Sequence, residues 1–209
     1  MTKFIRTGMG AMLTAALLAG ATISPASAQD EGRQFSAKAG EIVNETLTLS
    51  ESGQHQAAVE TLSDLIKTSG LNAYERSTIY QMLGQYNYEL DRPVQAQGDF
   101  ESAIRAGGLL QNERDNLDVV IAQLMIGNGQ YHEGAQRLEA YLEAGGEQKP
   151  HYIELLLNAW VQADDYSRAL PWAETWFEDA NPKQQKHYDL LNFLHSNLGI
   201  QDRKINPLE

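Results

Sequence analysis

Five histidines are the residues of this chain best suited to metal or acid–base chemistry, and their spacing decides how much of it they can do. His55, His132 and His151 are widely separated, and none belongs to a His-Glu-x-x-His pattern that would put two zinc ligands on one helix face. His187 and His195 are eight apart, within about 80° of each other around a helix but roughly two turns apart along it. One ion cannot be held by both without a third element, so the histidines read as scattered surface residues. Asp164-Asp165 could serve as an acid–base pair, but carboxylates placed just before a helical apolar pattern suit its N-terminus, with Asp165 as the cap. The sequence contains no cysteine, no Gly-x-Ser-x-Gly elbow and no phosphate-binding glycine loop. No catalytic residue, no metal ligand and no cofactor is expected; the enzyme alternative rests on His187, His195 or an acid.

The stretch "DDYSRALPWAETWF" that begins with those acids has helical apolar spacing, yet Pro171 falls inside it and large aromatics crowd it. Proline beyond the first turn removes a backbone hydrogen bond and bends a helix. The aromatics read as core: Tyr166 and Ala169 pack, Trp176-Phe177 close the seam against the next helix, and Trp172 is the candidate for an outer contact.

Lys3 and Arg6 precede an apolar run that ends in Pro25-Ala26-Ser27-Ala28, the pattern of a cleavable secretory signal over residues 1–28. The run is short for a spanning helix, and no cysteine follows it, so no lipid anchor is expected. The mature chain is expected to begin near Gln29 in the periplasm. Loss of Lys3 and Arg6 takes the formal charge of −12 to −14. Such an acidic surface repels phosphate backbones and anionic headgroups, which argues against nucleic acid as a partner. Without cysteine, an exported domain must be held together by packing alone.

The elements that must position these residues repeat. "GQHQAAVETLSDLI", "DRPVQAQGDFESAI" and "GQYHEGAQRLEAYL" share one layout with the segment from Asp164. A Gly or Asp opens each, and a small residue follows at Ala58, Ala96, Gly134 and Ala169, spaced by 38, 38 and 35 residues. Apolar residues recur four positions later at Leu62, Phe100, Leu138 and Ala173, which is helical spacing. The connections repeat too: Gly70-Leu71 precedes Glu75-Arg76, and Gly108-Leu109 precedes Glu113-Arg114. Glycine suits a helix C-terminus and glutamate the first turn of the next helix. Further apolar-periodic stretches at 42–49, 79–90, 117–126, 153–161 and 188–198 lie between these segments, and strand alternation is absent. Each repeat is therefore two antiparallel helices, with a ninth helix closing the array.

"YQMLGQYNY", with Tyr80, Leu83 and Gly84, followed by Ala96, Phe100 and Ala103, resembles the tetratricopeptide repeat (TPR). Ala122 and Leu157 replace the signature glycine elsewhere, and Gly134 replaces the small alanine. The resemblance implies an all-α fold, a TPR-type right-handed superhelical solenoid of about four helix pairs plus a C-terminal capping helix. It spans 39–200, between a flexible leader at 29–38 and a tail at 201–209. Stacked pairs form an extended concave surface, which suits a peptide or partner domain.

In that family the first helix of each pair lines the groove, which maps here to Gln81, Gln85, Tyr88, Asn116, Gln123, His151, Glu154, Asn158 and Asp189. These are mainly amides and hydroxyls, able to pair with a peptide backbone, and none is the Lys or Arg of a carboxylate clamp. "GLNAYERSTIYQMLGQYNYELDRPVQAQGDFESAI", "IAQLMIGNGQYHEGAQRLEAYLEAGG" and "KPHYIELLLNAWVQADDYSRALPW" are similar to the exported TPR proteins found with TonB–ExbB–ExbD systems of Gram-negative bacteria. That resemblance implies a non-enzymatic periplasmic adaptor that touches TonB or its complex and assists TonB-dependent transport. The alternative is a periplasmic scaffold for cell-envelope or peptidoglycan assembly.

Overall fold

A computed structural model describes residues 33–200. The expected signal at 1–28, residues 29–32 of the expected leader and the tail at 201–209 lie outside the described residues. Those described form helices only: α1 (Ala37–Glu51), α2 (His55–Leu65), α3 (Ala73–Glu89), α4 (Pro93–Arg105), α5 (Gln111–Gly127), α6 (Tyr131–Glu143), α7 (Pro150–Gln162), α8 (Tyr166–Asp179) and α9 (Gln185–Asn197). Each packs chiefly on its neighbours in the chain. The result is a stack of four antiparallel pairs closed by α9, a TPR-type helical solenoid.

The Gly or Asp that opens each repeating segment is the pivot of one recurring turn. Gly53, Asp91, Gly129 and Asp164 all have positive φ, at 73°, 58°, 83° and 56°. The next residue donates its backbone N–H back across the turn, from Gln54 to Leu49, Arg92 to Asn87, Gln130 to Met125 and Asp165 to Trp160, over 2.8–3.0 Å. This closure by a left-handed residue satisfies the end carbonyls of the first helix and reverses the chain into the second. Asp is tolerated there because a short polar side chain enters this region at modest cost.

The small residue of each second helix lies in the closest part of the pair. Ala58, Ala96 and Ala169 are 0 % exposed, and a Cβ on Gly134 would meet Ile126 Cγ1 at 2.6 Å. In α3 the signature glycine, Gly84, is required by Phe100, since a Cβ would meet that ring at 2.6 Å. The pair α5/α6 moves the same economy of space to its other helix: Ala122 replaces the glycine, and Gly134, whose Cβ would lie 3.0 Å from the Ala122 carbonyl oxygen, replaces the alanine. The two departures within this pair are therefore complementary.

Between pairs, Gly70 has φ +92°, as a glycine at a helix C-terminus should. In the next connection the left-handed residue is Gly107, with φ +78°, and not Gly108. Gly108 is held to glycine by close packing, because a Cβ would lie 2.3 Å from the Ala73 carbonyl oxygen.

Glu75 closes a capping box at the start of α3: the Asn72 side chain accepts from the Glu75 N–H at 2.8 Å, and the Glu75 carboxylate accepts from the Asn72 N–H at 2.7 Å. Glu113 does the second half of this for α5, accepting from the Leu110 N–H at 2.7 Å. In α8, Asp165 is the N-cap and accepts from the Arg168 N–H at 3.2 Å. The helix continues through Pro171 to Asp179, with Ala169 and Ala173 buried.

The described end of the expected leader is fastened to the solenoid. The Arg33 guanidinium donates to both Glu113 carboxylate oxygens, at 2.7 and 2.9 Å, and to the Gly108 carbonyl at 2.7 Å. It also stands 4.8 Å from the Tyr74 ring centroid, where Phe35 packs at 5.4 Å. The Ser36 N–H donates to Glu75 at 2.7 Å, and helix begins at Ala37. The local pattern of 29–38 carries no apolar period that would announce this, since each contact is made across dozens of residues.

Candidate functional site: the first-helix face and its cavities

The first helices α3, α5 and α7 present three amides in one register. Gln85, Gln123 and Asn158 follow each other at 38 and 35 residues, the same steps that separate Ala96, Gly134 and Ala169. All three are partly buried. Among the described residues the Gln85 side chain is bonded to Glu89 at 2.7 Å, while the side chains of Gln123 and Asn158, like that of Gln81 one turn before Gln85, make no hydrogen bond. An amide both donates and accepts, so a row of them one pair apart can take backbone groups spaced several residues apart along an extended chain.

The remaining expected groove residues divide. Tyr88 packs against the cluster around Phe100. His151 is exposed with its ring 4.3 Å from that of Tyr152. Asp189 accepts from Gln185 at 2.8 Å on its own helix. Glu154 reaches across to α9, where it meets the Lys186 ammonium at 2.6 Å. Asn116 lines a cavity of about 590 Å³ between α5 and the end of α6, with Asp115, Asp118, Arg137 and Tyr141.

A second cavity, about 350 Å³, lies where α7 begins, α8 ends and α9 begins, and includes Glu154, Trp172, Trp176, Asp179, Pro182 and His187. Its origin is a shorter helix. α7 has 13 residues where α3 and α5 have 17, and the turn it lacks is the first. The reading of the aromatics as core is corrected in part. Phe177 packs within the seam, edge-on to Tyr188 at 5.0 Å, whereas Trp172 and Trp176, four apart on α8, both line the cavity while supporting the core from outside.

The surface placement of the histidines is corrected at two positions. His187 is 5 % exposed and His195 4 %. His187 occupies the place in α9 that Glu75 and Glu113 hold in α3 and α5: its Nδ1 accepts from the Gln184 N–H at 2.7 Å, and its ring lies 4.2 Å from that of Trp176. An imidazole nitrogen with a free lone pair can accept from a free helix N–H, more weakly than a carboxylate but without burying a charge. Among the described residues no group of three His, Cys, Asp or Glu side chains is placed to hold a metal ion.

Glu139 on α6 joins the cavity wall to the core. It accepts from the Trp172 Nε1–H at 2.8 Å and from Arg168 at 2.9 Å, and the Arg168 guanidinium stands 5.1 Å over the ring of the fully buried Trp160. Hydrogen bonds to a charged group contribute about 1.5–3 kcal/mol each, though half-exposed Arg168 recovers much of its own from water. Glu139→Ala is therefore expected to cost about 2–3 kcal/mol, and Glu139→Gln, which keeps an acceptor for Trp172, less than half of that. Urea midpoints of the two variants would check the order.

No family model and no curated protein matches this chain. Among solved structures it is similar to the MamA RS-1 ArsTM double mutant, with 15 % identity over 82 % of this chain and 89 % of that one and a TM-score of 0.57. It is similar at 14 % identity to YrrB, a TPR protein with an unusual peptide-binding site, over 78 % and 79 % of the two chains with a TM-score of 0.57. TPR-like repeats of a Podospora anserina kinesin light chain match at 16 % identity over 80 % and 91 %, with a TM-score of 0.52. These likenesses show the fold.

Proposed function

We propose that this chain is a non-enzymatic, exported adaptor that binds an extended segment of a partner protein on its first-helix face, in the periplasm. Its partner in this reading is TonB or a component of the TonB complex, and its role is to assist energy-transducing transport across the outer membrane. The observation that carries the binding role is the amide row of Gln85, Gln123 and Asn158, one per helix pair. Support for a peptide as ligand comes from the similarity to YrrB, itself a TPR protein with a peptide-binding site. The TonB assignment draws on the resemblance of the repeat segments, and the location on the signal pattern at 1–28.

Crosslinking in cells followed by capture of the chain tests this. TonB-system components are expected among the captured proteins, with a stepwise loss as Gln85→Ala, Gln123→Ala and Asn158→Ala are combined. Each lost amide–backbone pair is expected to weaken binding by about 0.5–1.5 kcal/mol. Enrichment of cell-wall synthases without TonB components would make the chain an envelope-assembly scaffold instead.

A further inference from the structure

The cavity bounded by Trp172, Trp176 and Asp179 occupies the place where, two pairs earlier, the chain binds its own arginine. Arg33 is held by three features around the start of α5: the carbonyl of Gly108, two residues before the N-cap; the side chain of Glu113, third in the helix; and the ring of Tyr74 from the first turn of α3. Around the start of α9 the first two positions are Pro182 and His187, and both line the cavity. The third is missing because α7 lacks its first turn. The space a turn of helix and a docked arginine fill in one place is open in the other.

The chemistry of the open place also matches. At the first, a guanidinium lies over an aromatic ring and against a carboxylate. At the second, the Lys186 ammonium lies 5.2 Å from the Trp176 ring and against Glu154, so this indole face already takes a cation. Trp172 extends the aromatic wall, and Asp179, at the rim, makes no ion pair with any described residue. The neighbouring cavity at α5 and α6 adds Asp115 and Asp118. Across the two linings four carboxylates stand against two cations, Arg137 and Lys186, and both cations are paired with carboxylates. In a chain of formal charge −12, this favours a basic occupant.

We infer that the α7–α8–α9 cavity is a docking site for an arginine of an extended partner segment, with an aromatic residue close by in that segment, bound as the chain binds its own Arg33 and Phe35. The inference rests on the adaptor reading only in that the occupant belongs to another protein. Cation–aromatic contact and a carboxylate together recognise this side chain, and the rigid helices on either side pre-form the site.

The probe is the acetylated, amidated pentapeptide Gly-Arg-Gln-Phe-Ser, the sequence of residues 32–36, titrated into the full chain. The indole N–H resonances of Trp172 and Trp176 are expected to shift and saturate, and the peptide carrying Arg33→Glu to bind at least tenfold more weakly. Asp179→Lys, an exposed change whose folding circular dichroism would confirm, is expected to weaken the peptide at least tenfold as well. Trp176→Leu should abolish saturation. Indole resonances that stay in place at millimolar peptide would overturn the inference, as would shifts confined to Tyr74 and Glu113, which would mean that the peptide only displaces the chain's own segment. Concentration-dependent dimerisation abolished by Asp179→Lys would overturn it too, by making a second copy the occupant. Undiminished capture of a partner by the Asp179→Lys chain in cells would remove this site and leave the adaptor role standing, whereas absence of any captured partner beside a normal peptide titration would remove the adaptor role alone.

Discussion

Phe100→Ala is expected to destabilise the solenoid by about 3–5 kcal/mol, the range for deleting a fully buried aromatic ring, and to lower the melting temperature by roughly 2–4 °C for each of those. The ring is 0 % exposed and fills the space against Gly84, so its loss leaves a cavity between α3 and α4 that the flanking backbone cannot close. The same contact predicts a coupling. Gly84→Ala alone places a Cβ 2.6 Å from the Phe100 ring and is expected to cost about 1–3 kcal/mol by overpacking, despite alanine's higher helix propensity. In a Phe100→Leu background the added methyl has room, and Gly84→Ala should become neutral or stabilising. A double-mutant cycle by urea denaturation would measure this; additive effects would mean that the glycine is not there for the ring.

Glu75→Ala is the second large effect, expected at about 3–5 kcal/mol from the loss of two bonds to a charged acceptor. The carboxylate is 1 % exposed and accepts backbone N–H groups from Asn72 and from Ser36, so alanine would orphan a donor on α3 and another at the start of α1. Burial alone would raise the Glu75 carboxyl above its ordinary value of 4.5, but the N–H groups of Asn72 and Ser36 together with the Ser36 hydroxyl outweigh it and hold it lower. A carboxyl lowered on folding stabilises the native state fully above the unfolded value. That contribution is lost as pH falls from about 4.5 through the lower folded value. The native chain should therefore lose stability in this interval by more than Glu75→Gln does, which has no proton to take up there. Urea midpoints at pH 6 and pH 3 would show the difference; parallel losses would sink the assignment.

The helices and their pairing were legible because their causes are local. Apolar spacing, the small residue of each second helix and the Gly or Asp at each turn are fixed by contacts within one pair, and a pair is about forty residues of sequence. The 38-residue steps likewise record turns and packing that recur. Even the shortened step of 35 before Ala169 carries information, since it is the trace in sequence of the turn that α7 lacks. The cavity that follows from it depends on three helices and one connection at once, and no pattern along a single helix displays that.

Two residue types misled for a physical reason. The spacing of the histidines speaks against a shared metal ion but carries no information on burial, and His187 turns inward as a helix cap beside Trp176. Trp172 and Trp176 sit at core spacing and do touch the core, but a side chain as large as indole can be part of a core with one side and a wall with the other. The amide row lay among nine separate groove candidates, of which it is three. Its register became evident only when Gln85, Gln123 and Asn158 could be set against the small residues that step in parallel.

A stack of helix pairs transmits an applied load from neighbour to neighbour, and the end pair is ordinarily the first to peel away. Arg33 alters that order. Tension arriving along the chain from the N-terminal side meets the guanidinium clasp on Glu113 and Gly108 before it reaches α1. The pull is delivered to the second and third pairs, through Tyr74 and Glu113, and α1 and α2 are shielded from it until the clasp opens.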